Sequence, residues 1–248
     1  ERAPGGLALP LVTGRTAEAP HSRRLRLHSP AGRFLRRFLA SSGRALMELD
    51  PVAARDLARI SATREATPLL LTDARALFLL ACVRAARPLG AAMAEAGVFW
   101  GGSARLICEE KGSCALHLYD VFESLQSDGS GDDKRTVRDH FDRFHSSLAS
   151  VERLLAPYEG VHFHPGLLPQ SAATSSLERF SFVHLDLDLA AGTRAALEFF
   201  WPRLVPGGIL LGDDYDLPEV RAAFDEHCAS HGVSPIGLPW HQVMLVRT

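Results

Sequence analysis

The sequence predicts an α/β protein built on a mostly parallel sheet with helices on both faces. Three observations carry this expectation. Short apolar runs recur at 91–98 (AAMAEAGV), 115–120 (ALHLYD), 160–164 (GVHFH), 180–187 (FSFVHLDL) and 208–212 (GILLG), and the segments between them are long enough for helices. That alternation is what βαβ units require, and it implies a parallel sheet covered on both sides. The tail VSPIGLPWHQVMLVRT reads as two further strands joined through a turn around Pro239, an antiparallel edge pair that brings the sheet to seven strands. Finally, 248 residues with 46% hydrophobic content suffice for one large domain with a full core.

Composition excludes several classes of function. The formal net charge of -2 gives no long-range pull toward nucleic acid or anionic membrane. No apolar run approaches the roughly 20 residues of a transmembrane helix. Cys82, Cys108, Cys114 and Cys228 contain no C-x-x-C pair and no histidine at zinc-ligand spacing, so free buried thiols in a reducing cytoplasm are expected. A soluble, cytoplasmic protein follows as the expectation.

Taken in order, residues 1–70 form a basic N-terminal arm or lid, with 12 Arg against 6 acidic residues and no Lys. The same Arg-rich, Ser-containing, acid-poor composition also marks organelle transit peptides. Residues 71–248 form the main domain. Leu77, Leu80, Ala81 and Val83 give a helix stopped by Pro88 and Gly90. The stretch 132–158 reads as an amphipathic helix or helix pair after the flexible QSDGSGDD, and no internal repeat is visible.

Ligands of an open parallel sheet bind at the carboxyl ends of its strands, and the unusual residues of this chain collect there. EAGVFWGGS (95–103) lies between the first strand and a helix; Gly97, Gly101 and Gly102 would let a ligand approach the backbone, although the spacing is not G-x-G-x-x-G and a turn of small residues is the plain alternative. Asp120 ends the second strand, where an acid accepts hydrogen bonds from ribose hydroxyls or simply caps a helix. His184, Asp186 and Asp188 share one face by the period of two, and Asp213 and Asp214 end the next strand. Buried carboxylates need partners, and hard oxygen ligands converging from two strand ends suit Mg²⁺ better than zinc. The competing account has these aspartates capping helices or pairing with Arg194 and Arg221.

EAGVFWGGSA, LYDVFESL, HFHPGLLPQS, HLDLDL and EFFWPRLVPGGILLGDDYDLPEVRAAFDEH follow one another over residues 75–245. In that order and spacing the chain resembles the macrocin O-methyltransferase family, S-adenosylmethionine- and Mg²⁺-dependent enzymes that methylate sugar hydroxyls in macrolide and related antibiotic pathways. HLDLDL followed by PGGILLGDDY is the specific part. The resemblance implies a Rossmann-like class I methyltransferase fold. It also implies metal ligation by Asp186, Asp213 and Asp214, and a cofactor pocket lined by Glu95, Gly97, Gly101, Ser103 and Asp120. Trp100 stands where the family usually has Arg, DVFESLQ replaces DSFEGLP, and Ala190 replaces a Tyr. These departures bear on the acceptor side rather than on cofactor or metal.

The reaction so implied is direct methyl transfer to a hydroxyl of a small molecule, with Asp186 acting through the metal and Asp188, ahead of His184, as general base. His162 and His164 are expected to be ordinary strand residues. A catechol or other vicinal diol is the alternative acceptor, an inactive cofactor-binding accessory protein is the alternative outside enzymes, and a homo-oligomer is compatible with either.

Overall fold

The computed structural model describes residues 30–41, 49–122, 146–175 and 178–248, the side chains of residues 31 and 173–175 excepted. The chain divides into two units, Glu1–Glu48 and Leu49–Thr248. In the first, α1 (Pro30–Ser41) is the described element, and the Ser41 hydroxyl closes its last turn by donating to the Phe38 carbonyl at 2.7 Å. The remainder of the expected basic arm, 1–29 and 42–48, lies outside the described residues.

The second unit begins earlier than composition suggests. α2 (Pro51–Ala66) belongs to it, started by Asp50, whose carboxylate accepts the N–H groups of Val52 and Ala53 at 2.8 Å with Pro51 in the first turn. An excess of arginine suggests a basic arm or lid to residue 70, but Arg59 within it finds acids in its own helix and beyond residue 70. Arg59 pairs with Asp56, Glu109 and Glu110, and Arg84 of the next helix pairs with Asp56 and Glu110. With Ile60 fully buried, α2 is fastened to α3 (Asp73–Ala86) and α4 (Gly102–Glu110) by both charge and packing.

Thr72 caps α3, its hydroxyl accepting from Arg75 N. The face that α3 buries is Ala76, Leu79, Leu80, Val83 and Ala86, so it is rotated from the expected one, and Ala81 is exposed. Gly90 ends the segment in the left-handed region, as anticipated for a glycine after Pro88.

Seven strands follow: β1 (Ala92–Ala96), β2 (Leu116–Asp120), β3 (Val161–Pro165), β4 (Phe180–Leu185), β5 (Leu204–Gly212), β6 (Ile236–Gly237) and β7 (Val243–Val246). They make one mixed sheet in the order β3-β2-β1-β4-β5-β7-β6. The first five are parallel, and β7 runs antiparallel to both β5 and β6. This is the predicted architecture, including the antiparallel pair at the C-terminal edge. β5 starts at Leu204, ahead of the apolar run, because Leu204 pairs with Phe180 before the register jumps to Phe182 and Ile209 across the Pro206–Gly208 bulge.

The helices α3, α4 and α5 (Leu148–Leu155) cover one face, over a core that includes Leu79, Leu106, Leu118, Val151 and Phe182. α6 (Ala190–Phe200) and α7 (Pro218–His231) cover the other, over Phe180, Val183, Leu197, Phe200 and Phe224. α5 is the described part of the expected 132–158 helix; residues 123–145, with the glycine- and serine-containing stretch, lie outside the described residues. Among the described residues no helix is long and apolar enough to cross a membrane. The four cysteines are buried and free, and burial pushes the Cys82 and Cys108 thiols up to about 12.

Candidate functional site

Because β1, β2, β4 and β5 are parallel and adjacent, their carboxyl ends open on one edge of the sheet. Past β1 the chain makes the turn 97–101 into α4, and this turn is held from several sides. Asp120, at the end of β2, accepts Val98 N at 2.6 Å and Phe99 N at 3.0 Å through one oxygen and Phe122 N at 2.9 Å through the other. The hydroxyls of Thr67 and Ser146 donate to the carbonyls of Trp100 and Phe99. Asp120 is therefore first of all the clamp of this turn.

The glycines are likewise explained by close packing of the chain on itself. Gly97 takes φ +89° with the Asp186 backbone against its Cα, Gly101 takes φ +79° against Val151 and Leu154, and Gly102 abuts the Pro68 carbonyl. A Cβ at Gly97 would stand 1.8 Å from the Asp186 carbonyl oxygen. Ser103 is buried in the first turn of α4.

Beneath the turn lies a chain of charged groups with no exposure to solvent. Glu95 on β1 meets His184 Nδ1 at 2.8 Å, and His184 Nε2 meets Asp213 Oδ2 at 2.8 Å; Gln242 Nε2 donates to the same Asp213 oxygen at 3.0 Å. Burial alone would lower the His184 pKa, but hydrogen bonds and charge from Asp213 and Glu95 raise it well above its ordinary value. His184 thus bridges two carboxylates, one at each ring nitrogen. With both ring nitrogens so engaged and the ring at 0% exposure, its part in this arrangement is to hold Glu95 and Asp213.

The remaining acids gather at the rim. Regular β4 ends at Leu185, and Asp188 adopts φ +57°, so the alternation that placed 184, 186 and 188 on one face stops before Asp188. Asp188 instead comes together with Asp186 and Asp214, while Asp186 also groups with His184 and Asp213; within each trio the candidate ligand atoms lie within 4.8 Å of one another. Asp214, at φ +59°, is again in the left-handed region that aspartate tolerates better than most residues. Desolvation, then the neighbouring Asp213 and Asp214 charges, raise the Asp186 pKa well above the carboxylate range. Desolvation and a hydrogen bond to Asp188 push Asp214 up to about 7.

Three carboxylate oxygens here, Glu95 Oε2, Asp213 Oδ1 and Asp214 Oδ2, are buried with no hydrogen-bond partner among the described residues. Arg75 faces two of these aspartates, its Nη1 3.1 Å from Asp213 Oδ1 and 3.7 Å from Asp214 Oδ1. The arginines named as alternative partners sit elsewhere: Arg194 pairs with Glu226, and Arg221 donates to the Tyr215 carbonyl and stacks on that ring.

Comparison with known proteins decides the family. The model described as Macrocin-O-methyltransferase (TylF) matches residues 76–238, well over half of the chain. The chain belongs to this family. Two relatives are O-methyltransferases by name: the mycinamicin III 3''-O-methyltransferase of Micromonospora griseorubida is 36% identical over 93 residues, which is 36% of this chain and 37% of that protein. The 8-demethyl-8-(2,3-dimethoxy-alpha-L-rhamnosyl)-tetracenomycin-C 4'-O-methyltransferase of Streptomyces olivaceus is 30% identical over 156 residues, 57% of this chain and 59% of that protein. The chain thus spans less than two thirds of the length of either relative. Among solved structures, the O-methyltransferase NovP shares the fold at a TM-score of 0.59 and 22% identity, over 69% of this chain and 78% of that one.

Glu95, Asp120, Asp186, Asp188, Asp213 and Asp214 all fall inside the stretch matched by the macrocin O-methyltransferase family, whereas Arg75 precedes it and Gln242 follows it. Sequence reading singled out neither of these two, since an arginine at the start of an apolar helix and a glutamine before an edge strand carry no local signal. His162 and His164 behave as expected of strand residues in one respect: they pack against His117 on the neighbouring strand. The His117 ring stacks on His162 and His164, with Nδ1 2.9 Å from His164 Nε2, and burial pushes its pKa down to about 4.

Proposed function

We propose that this protein is a Mg²⁺-dependent O-methyltransferase that moves a methyl group from S-adenosylmethionine to a sugar hydroxyl of a glycosylated secondary metabolite. The observation that carries the reading is the set of buried carboxylate oxygens that make no hydrogen bond among the described residues, at the strand ends of a macrocin O-methyltransferase family fold: Glu95 Oε2, and Asp213 Oδ1 with Asp214 Oδ2. A buried carboxylate oxygen left without a partner is costly, and a chain that keeps three at one edge has donors or a cation to bring there. A set of carboxylate oxygens suits a hard divalent cation, so the residues fit the metal.

When bound, S-adenosylmethionine supplies an already activated methyl group, and Mg²⁺ held by Asp186, Asp213 and Asp214 lowers the pKa of the acceptor hydroxyl and fixes its position. Glu95 offers Oε2 to a donor of the cofactor. The turn from Gly97 to Gly101, clamped by Asp120, presents backbone and the first turn of α4, including Ser103, to the same ligand. His184, at 0% exposure, keeps Glu95 and Asp213 at fixed orientation.

Asp188 takes the acceptor proton as it leaves. It stands with Asp186 and Asp214 at the rim, the candidate ligand atoms of the three within 4.8 Å of one another, which puts a carboxylate beside the metal-bound hydroxyl. The two relatives act, by their names, on mycinamicin III and on a rhamnosyl tetracenomycin, which supports a deoxysugar of an aglycone-bearing metabolite as the acceptor class. The protein works on a small hydroxylated molecule.

Calorimetric titration with S-adenosylhomocysteine and with NAD tests the cofactor half of the reading. Binding of the former and raised melting temperature are expected by linkage. A shift with NAD alone overturns it.

A further inference from the structure

Arg75 is an odd choice for its position. It is the third residue of α3, in the first turn after the Thr72 cap, where the helix macrodipole disfavours a cation. Its guanidinium is mostly buried, at 18% exposure, and is fixed by Nε donating to the Trp240 carbonyl at 2.9 Å. From there Nη1 stands 3.1 Å from Asp213 Oδ1 and 3.7 Å from Asp214 Oδ1, while Nη2 stands 3.9 Å from Asp216 Oδ1. Yet Asp213 Oδ1 has no hydrogen bond, so the contact is one of charge without the directional bonds that would lock it.

Resting on the metal reading above, we infer that Arg75 is the resident cation of the acid cluster, a positioning residue that neutralises Asp213 and Asp214 in the metal-free protein and sets how tightly the divalent cation binds. The physical reason is direct. A positive charge within 4 Å of two metal-ligating carboxylates, in a half-buried site, opposes a second cation on the same oxygens. Removing the arginine leaves Asp214 without this cation and Asp213 with only His184 and Gln242 on its other oxygen, which destabilises the metal-free fold and strengthens the attraction for metal. The tie to Trp240 joins this cation to the C-terminal strands: the Trp240 indole donates to Gln242 Oε1 at 2.8 Å, and Gln242 in turn donates to Asp213. Arg75, Trp240, Gln242 and Asp213 therefore close a ring of contacts around one carboxylate.

The test is calorimetric titration of Mg²⁺ into the full chain and into Arg75→Gln and Arg75→Lys, with melting temperatures measured in chelator and in Mg²⁺. Expected affinity rises in the order Arg, Lys, Gln, the Gln variant binding at least about tenfold more tightly than the parent. In chelator the Gln variant melts lower, and Mg²⁺ restores more of its stability than it adds to the parent. Should the Gln variant not fold, the Lys-against-Arg order carries the test. Equal or weaker Mg²⁺ binding by folded variants overturns the role of Arg75 while leaving the metal site standing. Failure of the parent and both variants to bind Mg²⁺ at all overturns the metal reading, and this inference with it.

Discussion

The carbonyl oxygen of Asp186 occupies the space beside Gly97, 1.8 Å from where a Cβ would sit. The turn assigned to the cofactor and the strand end assigned to the metal are therefore packed backbone to backbone, and the Asp186 amide completes the junction by donating to the Ala96 carbonyl at 2.9 Å. Gly97→Ala adds an impossible contact at a φ of +89°, a conformation that alone costs about 1–3 kcal/mol for a residue with a side chain. Both S-adenosylhomocysteine and Mg²⁺ affinity should fall together in this variant, as calorimetry of each ligand will read.

The position of α2 predicts where the chain tolerates cutting. Deleting residues 1–48 should leave a folded unit that unfolds cooperatively and still binds S-adenosylhomocysteine. Deleting residues 1–70 removes Asp56, Arg59 and the fully buried Ile60, strands Glu110 and Arg84 without part of their ion cluster, and should abolish cooperative thermal unfolding. Calorimetric scans of the two truncations distinguish these outcomes.

Much of this was legible in the residues, and the reasons are physical. The five apolar runs became five parallel strands because segments too long for hairpins separate them, and acids at the run ends marked the strand mouths, since a carboxylate has no place deeper in the sheet. What escaped is what only tertiary structure brings together. The Arg75–Asp213 pair spans more than half of the chain, and no local pattern announces it. Composition likewise misassigned residues 49–70 because two of the three acids that pair with Arg59, Glu109 and Glu110, come from α4. Gly101 and Gly102 read as a ligand cradle, yet the neighbours they admit are Val151, Leu154 and the 68–69 backbone. The left-handed backbone at Asp188 ended an alternation that the period of two extends without limit.

His184 lies at 0% exposure between Glu95 and Asp213. His184→Leu leaves two buried carboxylates facing an apolar side chain, and the loss of a partner in such a set costs about 3–5 kcal/mol. In the parent the raised His184 pKa contributes stability that is fully present below about pH 6.5 and is lost as pH rises through the folded value. Denaturant unfolding across alkaline pH should therefore show a declining limb in the parent that the variant lacks.

His117 and His227 set the acid limb. Desolvation, then neighbouring histidines, push both down from 6.5 to about 4, so between these values the unfolded chain holds more protons than the folded one. Stability is complete above pH 6.5 and falls as the pH drops through that window. The double variant His117→Phe, His227→Phe keeps the ring packing against His164 and Trp201 without the titration. Its melting temperature should change less between pH 7 and pH 4.5 than that of the parent.

Mass spectrometry of acceptor methylation addresses the central claim most directly. The protein is incubated with S-adenosylmethionine and a panel of macrolide and tetracenomycin glycosides bearing free sugar hydroxyls, with Mg²⁺, with excess chelator, and with Asp213→Asn in place of the parent. The account predicts an acceptor heavier by one methyl group for hydrogen in Mg²⁺ alone, transfer abolished by chelator and restored by added Mg²⁺, and a variant that binds S-adenosylhomocysteine but loses nearly all turnover. Undiminished methylation in excess chelator, or full turnover by Asp213→Asn, would contradict it.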